Sequence, residues 1–89
     1  MAGARVLIIE DERALVKVLK FNLDREGYAV ASAGDGESGL AAFQADKPDL
    51  VILDLMLPKL DGFELCKAVR KTSRTPILML TARKEEVDR

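Results

Sequence analysis

The chain contains no histidine, and Cys66 is its only cysteine. These absences exclude disulfides, Cys/His zinc sites, Ser-His triads and Cys-His dyads. An excess of basic charge is also missing, since 14 basic and 15 acidic residues leave a formal net charge of -1. We therefore expect no surface for nucleic acid, and any contact with DNA would need a separate effector domain. The chemistry available to the chain is that of carboxylates.

Long hydrophobic runs are lacking as well. Near the N-terminus the apolar run from Val6 to Ile9 is too short for a signal peptide or a membrane span. We therefore expect a cytoplasmic protein with no membrane partner. At 89 residues the chain forms one domain at most, near the lower size limit for a self-sufficient hydrophobic core.

One apolar segment, Leu50 to Leu53, leads directly to the carboxylate of Asp54. A short apolar run rich in β-branched residues predicts a strand that is covered on both faces, as in parallel α/β sheets. Val6 to Ile9 is a second run of this kind, and Glu10-Asp11-Glu12 follow it at once. In open sheets of this type, ligands bind at the carboxyl ends of the strands. The acids stand at those ends.

Helical and strand patterns alternate along the whole chain. The first predicted elements are a strand over 6–9, a helix over 13–26, an edge strand over 28–33 and a helix from Asp35 to before Pro48. A strand over 50–53, a helix after Gly62, a strand over 77–80 and a helix start over 82–89 follow. The first helix is expected to bury Leu15, Val18, Leu19 and Leu23. Such alternation predicts a parallel sheet with right-handed crossovers, and a strand order of 2-1-3-4 would make the first and third strands neighbours.

In that order Glu10, Asp11 and Asp54 converge in one crevice, where their negative charges repel unless a cation neutralises them. Mg²⁺ is the natural choice, because it takes one or two carboxylates and keeps other positions for water or phosphate oxygens. An ionised aspartate such as Asp54 can attack phosphorus and form an aspartyl phosphate. At the end of the fourth strand, the Thr81 hydroxyl and the Ala82 backbone N–H could bind phosphoryl oxygens.

Three motifs resemble the receiver domain of bacterial response regulators: Glu10-Asp11 after the first strand, Asp54 within LVILDLMLPKLDG, and Thr81-Ala82 within PILMLTAR. The sequence around Asp54 and Thr81 is most similar to that of the OmpR/PhoB type of transcription factor. The resemblance covers all 89 residues and implies a flavodoxin-like (CheY-like) α/β fold. It also implies phosphotransfer from the phosphohistidine of a sensor histidine kinase to Asp54.

The same resemblance implies a role for each residue of the site. Asp11 and Asp54 would bind Mg²⁺ directly together with the Met56 backbone carbonyl, and Glu10 would act through water. Met56 and Arg83 match variable positions that tune the lifetime of the phosphoryl group in the family. We expect at most a self-catalysed phosphoacceptor and not an enzyme.

A complete receiver domain continues to a fifth strand, which carries a lysine that pairs with the phosphoryl group, and to a last helix. Residues 1–89 are therefore expected to be the incomplete N-terminal part of such a domain, without an effector domain. Ile77 to Leu80 would then form an exposed edge strand that can pair with another chain. Two hypotheses stay open: a signalling switch whose parent protein controls a transcription effector, and a truncated or engineered module that forms homo-oligomers through the fourth strand.

The glycines Gly34, Gly36 and Gly39 match the G-x-G-x-x-G pattern of dinucleotide-binding proteins and give a minor alternative. The two acids between these glycines would place negative charge where a pyrophosphate must bind. A Walker A lysine is absent. Haloacid-dehalogenase-type phosphatases use a D-x-D motif, and its second position is Met56 here.

Overall fold

The computed structural model describes residues 3–54 and 62–80. In these ranges four strands alternate with three helices, as the sequence pattern predicted. The strands are β1 (Arg5–Ile9), β2 (Ala29–Ala33), β3 (Leu50–Asp54) and β4 (Ile77–Leu80), and the helices are α1 (Arg13–Arg25), α2 (Gly36–Asp46) and α3 (Gly62–Thr72). The predicted helix start over 82–89 lies outside the described residues.

All strand pairs in the sheet are parallel, and the order is β2-β1-β3-β4. The predicted order is confirmed, and β2 takes the predicted edge position. The register places Ile9 opposite Ala33 on one side and opposite Leu53 on the other. Glu10 and Asp54 each follow one residue later, so they leave the sheet at the same level of the same edge.

Alternate residues of β1 and β3 belong to two separate apolar clusters, because successive side chains of a strand point to opposite faces of the sheet. On one face, Leu7 and Ile9 pack with residues of α2 and α3. On the other face, Val6 and Ile8 pack against one side of α1. The buried members of the first cluster are Leu7, Ile9, Phe43, Val51, Leu53, Leu65 and Val69.

Helix α1 is amphipathic, but the side chains that it packs against the sheet, all of them partly buried, differ from the predicted set. Val18 is 56% exposed, whereas Val16, Leu19 and Leu23 pack against the sheet. At 3.6 residues per turn, Val18 lies about 140° around the helix from Leu23, too far to share its contact face. The expectation for Val18 was wrong. The spacing of the apolar residues between positions 15 and 23 also fits an apolar stripe that is rotated about the helix axis and leaves Val18 outside it.

Local signals fix where the helices begin and end. Gly27 adopts a φ of 94° just after α1, which is the left-handed conformation that glycine permits. The Asp35 carboxylate accepts a 2.8 Å hydrogen bond from the Ser38 backbone N–H and caps α2. The α2 C-terminus receives a 2.7 Å hydrogen bond from the Arg5 side chain to the Asp46 carbonyl. In the described part of the chain, no helix has the length and apolar character needed to cross a membrane.

Candidate metal centre

The acids lie together at the carboxyl ends of the two central strands, β1 and β3. The Glu10 backbone N–H donates a 3.0 Å hydrogen bond to the Ala33 carbonyl, so the β1–β2 ladder extends one residue past Ile9 and holds Glu10 in place. Asp54 is the last residue of β3 and lies opposite Leu80 of β4. Asp11 is the next residue after Glu10 and stays exposed. The positions of all three acids therefore follow from strand register.

The carboxylates of Glu10, Asp11 and Asp54 each offer an oxygen within 4.8 Å of the others. The Glu10 and Asp54 side chains are removed from water, since these residues are only 4% and 3% exposed. Burial of two ionisable acids side by side is unfavourable without a compensating charge. The predicted convergence of the three acids is confirmed.

The burial and crowding of the acids change the pKa of Glu10. The pKa of its carboxyl group is raised from 4.5 to about 7, with burial as the largest cause. The Glu12 backbone N–H lowers this pKa, whereas the negative charges of Asp54 and Asp11 contribute to raising it. That N–H donates a 3.0 Å hydrogen bond to Oε2 of Glu10. Oε1 of Glu10 is buried and has no hydrogen-bond partner among the described residues. A buried acceptor without a donor is costly, and a bound cation would satisfy it.

The donor set fits a hard cation. Carboxylate oxygens are the ligands that Mg²⁺ and Ca²⁺ prefer, and an exposed ligand such as Asp11 leaves access from solvent. The orphaned oxygen of Glu10 and the crowding of negative charge both favour occupancy by a cation. The cluster could hold a metal ion in this chain.

Four of the predicted site residues, Met56, Thr81, Ala82 and Arg83, lie outside the described residues. Their roles stay predictions. The described part of β4 ends at Leu80, directly opposite Asp54 in the sheet register.

The glycine segment after β2 has a structural explanation. The Asp35 carboxylate already occupies the N-terminus of α2, where a pyrophosphate would have to bind. Gly39 lies against Ile9, and a Cβ at this position would come within 2.8 Å of two Ile9 side-chain atoms. In this segment Asp35 thus serves helix capping, and Gly39 serves close helix–sheet packing.

Two cations next to the acids had no role in the interpretation of the sequence. Arg13 and Lys17 line the same cleft as Glu10 and Asp11, on the first turns of α1. Their spacing of four residues places them on one side of a helix, and this spacing could have been noticed in the sequence.

A parallel sheet of order 2-1-3-4, with helices on both faces and acids at the ends of its central strands, defines a flavodoxin-like α/β domain with a carboxylate site. The family model of the response regulator receiver domain matches residues 6–89. The chain belongs to that family.

Curated relatives are regulators of transcription. The chain is 50% identical over 86 residues to the alkaline phosphatase synthesis transcriptional regulatory protein PhoP of Bacillus subtilis, covering 96% of this chain and 36% of that protein. It is 46% identical over 83 residues to the transcriptional regulatory protein AfsQ1 of Streptomyces coelicolor, covering 93% of this chain and 37% of that protein. The chain thus spans about a third of the length of these relatives.

Solved structures share the fold. The chemotaxis response regulator CheY4 of Vibrio cholerae superposes with a TM-score of 0.87 at 36% identity, over 99% of this chain and 76% of that chain. A complex of the histidine kinase ThkA with the response regulator protein TrrA contains a chain that matches with a TM-score of 0.81 at 38% identity, over 89% of this chain and 69% of that chain.

Proposed function

We propose that this domain is a phosphorylation-dependent switch of a two-component system, in which Asp54 accepts a phosphoryl group from a sensor histidine kinase. The observation that carries the proposal is the convergence of Glu10, Asp11 and Asp54 within 4.8 Å, with a buried and unpartnered oxygen on Glu10. Such a site suits a hard cation and, through it, a phosphoryl group. Membership of the receiver family supports the same role.

Each residue of the site has a distinct task in this proposal. Asp11 and Asp54 would hold Mg²⁺ together with the Met56 backbone carbonyl, and Glu10 would contact it through water. When bound, Mg²⁺ offsets the negative charge of the acids and of the phosphoryl oxygens. The remaining roles belong to residues outside the described ranges: Thr81 and Ala82 bind phosphoryl oxygens, and Met56 and Arg83 tune the lifetime of the phosphoryl group.

The transfer itself is a nucleophilic displacement. A carboxylate oxygen of Asp54 attacks phosphorus, the P–N bond to the kinase imidazole breaks, and the nitrogen keeps the electron pair. Asp54 ends modified and does not turn over, so the domain is a self-catalysed phosphoacceptor and not an enzyme in the usual sense. The burial of Asp54 limits the access of competing water.

In a longer protein, the switch would control transcription through an effector domain, and that domain would make the contact with DNA. The relatives named above support this, because they are transcriptional regulators about three times the length of this chain. With a formal net charge of -1, the chain has no excess of basic charge that would favour DNA binding. A cytoplasmic location and the assignment of residues 1–89 as the N-terminal part of a receiver domain stay predictions.

The direct test is intact-protein mass spectrometry after incubation with Mg²⁺ and acetyl phosphate. We expect a gain of one phosphoryl group that disappears without the metal and in Asp54→Asn. Asp24→Asn is a matched control, because Asp24 is an exposed acid on α1 whose salt bridge to Lys20 is remote from the site. No gain in a chain that circular dichroism shows to be folded would overturn the proposal.

A second candidate function is self-association through β4. Leu78 and Met79 are large apolar side chains that are 53% and 41% exposed. As neighbours on a strand they point to opposite faces of the sheet, and among the described residues β4 pairs only with β3. An exposed apolar edge strand is a template for pairing with a second copy.

Sedimentation velocity over a range of protein concentrations would test this second function. We expect a concentration-dependent dimer or larger species, which Leu78→Lys weakens. Phe21→Lys is the control, since Phe21 on α1 is just as exposed but lies away from the sheet edge. A monomer at all concentrations would exclude the assembly function and leave the phosphoacceptor proposal untouched.

A further inference from the structure

A cleft of about 360 Å³ opens beside the acidic cluster, between the first turns of α1 and the end of β2. Glu10 and Asp11 line one part of it, and Arg13 and Lys17 line another. Ser32, Ala33 and Gly34, at the end of β2 and just after it, line the cleft as well. The cleft is therefore continuous with the candidate metal centre and carries both signs of charge.

Among the residues that the structure describes, Arg13 and Lys17 have no partner that would neutralise them. In the described part of the chain, neither Arg13 nor Lys17 makes an ion pair or a side-chain hydrogen bond, whereas Lys20 on the same helix pairs with Asp24 at 3.2 Å. Cations four residues apart on a helix lie on one side of it and repel each other slightly. An anion between them would remove that repulsion.

The N-terminus of α1 adds to this positive field. Its N-cap Glu12 makes no side-chain hydrogen bond to the helix, and the first turn contains no acid. In α2, by contrast, Asp35 caps the helix and Glu37 lies in the first turn. The backbone N–H groups of an uncapped helix start carry partial positive charge. Glu10, which is only 4% exposed and has one carboxylate oxygen without a partner among the described residues, also lines this cleft and favours a cation beside it.

We propose that Arg13 and Lys17 are specificity-determining residues that favour small acyl phosphates as phosphoryl donors, by holding the carboxylate that leaves. This inference rests on the proposed function of Asp54. In the step, an Asp54 oxygen forms a bond to phosphorus and the bond from phosphorus to the acyl oxygen breaks. The departing carboxylate takes the electron pair and leaves as an anion, so no proton has to be supplied.

The charge on the leaving group sets the selectivity. A carboxylate gains negative charge as the bond breaks, and cations beside it stabilise the transition state more than the ground state. Phosphoramidate transfers the same phosphoryl group as an acyl phosphate but has a different leaving group. Its protonated nitrogen departs as neutral ammonia, which carries no negative charge. The two cations thus speed transfer from an acyl phosphate without speeding transfer from phosphoramidate.

The test compares these two donors on the full chain with Mg²⁺ at pH 7 and constant ionic strength. In Arg13→Gln/Lys17→Gln, we expect the ratio of the rate constants for acetyl phosphate and phosphoramidate to fall by roughly three- to tenfold, the effect of two exposed charges. Lys71→Gln/Arg74→Gln removes the same charge at the opposite edge of the sheet, where α3 ends and β4 has not begun. Its ratio should match that of the wild type.

A second measurement does not depend on phosphorylation. Sodium acetate titrated against sodium chloride should shift the backbone amide signals of Arg13 and Gly34 in the wild type and in the Lys71/Arg74 control. The Arg13/Lys17 variant should lose these shifts. Circular dichroism of each variant confirms that the fold is retained.

The outcomes separate this inference from the function on which it rests. If phosphoramidate modifies Asp54 but the donor ratio is unchanged in the Arg13/Lys17 variant, only the role of the two cations is overturned. An equal fall of the ratio in the Lys71/Arg74 control also overturns it, because the effect would then be one of net charge. If neither donor modifies wild-type Asp54, the proposed function fails and the inference fails with it.

Discussion

Gly39 of α2 lies directly against the Ile9 side chain of β1, so closely that a Cβ on Gly39 would stand 2.8 Å from both Cδ1 and Cγ2 of Ile9. Real Cβ atoms are not found at that distance from a buried side chain, and Ile9 is fully buried. The distance between α2 and the central strand therefore depends on the absence of a side chain at position 39.

Gly39→Ala should destabilise the domain by about 1–3 kcal/mol, because the extra methyl group overpacks a filled core. Urea unfolding followed by circular dichroism measures the change. Gly34→Ala is the matched control, since a Cβ there meets no atom within 4 Å and its loss of stability should be small. An equal loss in both variants would contradict the packing explanation.

Asp35→Ala should cost about 1 kcal/mol, because it removes the hydrogen bond to the Ser38 N–H at the start of α2. Glu12→Ala provides the comparison: Glu12 is the N-cap residue of α1 but makes no side-chain hydrogen bond to that helix. Its effect on the free energy of unfolding should stay within about 0.5 kcal/mol. The reverse order of effects would show that charge, and not the hydrogen bond, governs these helix starts.

Stability without metal should fall as the pH rises from about 4.5 to about 7. The Glu10 carboxyl group has a pKa of about 7 in the folded protein, against an ordinary value of 4.5, mainly because it is buried. Between these values the folded protein binds more protons than the unfolded chain, so each rise in pH favours unfolding, by a total on the order of 1–3 kcal/mol. Stability is greatest below the lower value, as far as this group is concerned.

Chemical unfolding at several pH values measures that slope. Glu10→Gln should flatten it, and Asp54→Asn should reduce it, because the charge of Asp54 contributes to the raised pKa of Glu10. A slope of unchanged size in Glu10→Gln would assign the pH dependence to another group.

Mg²⁺ should stabilise the folded chain, and more so at pH 8 than at pH 5, where Glu10 holds a proton. A concentration ten times the dissociation constant would add about 1.4 kcal/mol, by mass action alone. Thermal unfolding with increasing MgCl₂ measures the effect. Asp11→Asn should weaken it, whereas Asp24→Asn, an exposed acid on the outer part of α1, should not. Stabilisation of equal size in both variants would point to general screening of charge by salt.

Much of the fold could be predicted from the sequence, because β1 and β3 are continuous apolar runs of the kind that a covered parallel sheet contains. The order of the strands then followed from the alternation of elements, and with it the convergence of Glu10, Asp11 and Asp54. Burial could not be assigned residue by residue on the helices. The exposure of Val18 depends on how α1 is rotated against the sheet, and helical periodicity leaves that rotation open.

Other features depended on distances that no pattern contains. The three glycines from Gly34 to Gly39 suggested a nucleotide loop, and only the contact of Gly39 with Ile9 shows that close packing is the reason for one of them. The sequence likewise gave no measure of how deeply Glu10 is buried, so its raised pKa could not be anticipated. Arg13 and Lys17 had no part in the interpretation of the sequence, and only the cleft places them beside the acids.

The pairing of β1 with β3 joins residues that are far apart in the chain, since Ile9 lies opposite Leu53. The acidic cluster therefore cannot form by local contacts in the unfolded chain. It forms only when β1 pairs with β3, across the intervening α1, β2 and α2. Folding must bring these charges together at the cost of mutual repulsion, and parallel pairing over such a loop is slow. A cation that requires the completed cluster can act only after this pairing, so it should prolong the lifetime of the folded domain by slowing its unfolding, with little effect on the rate at which it folds.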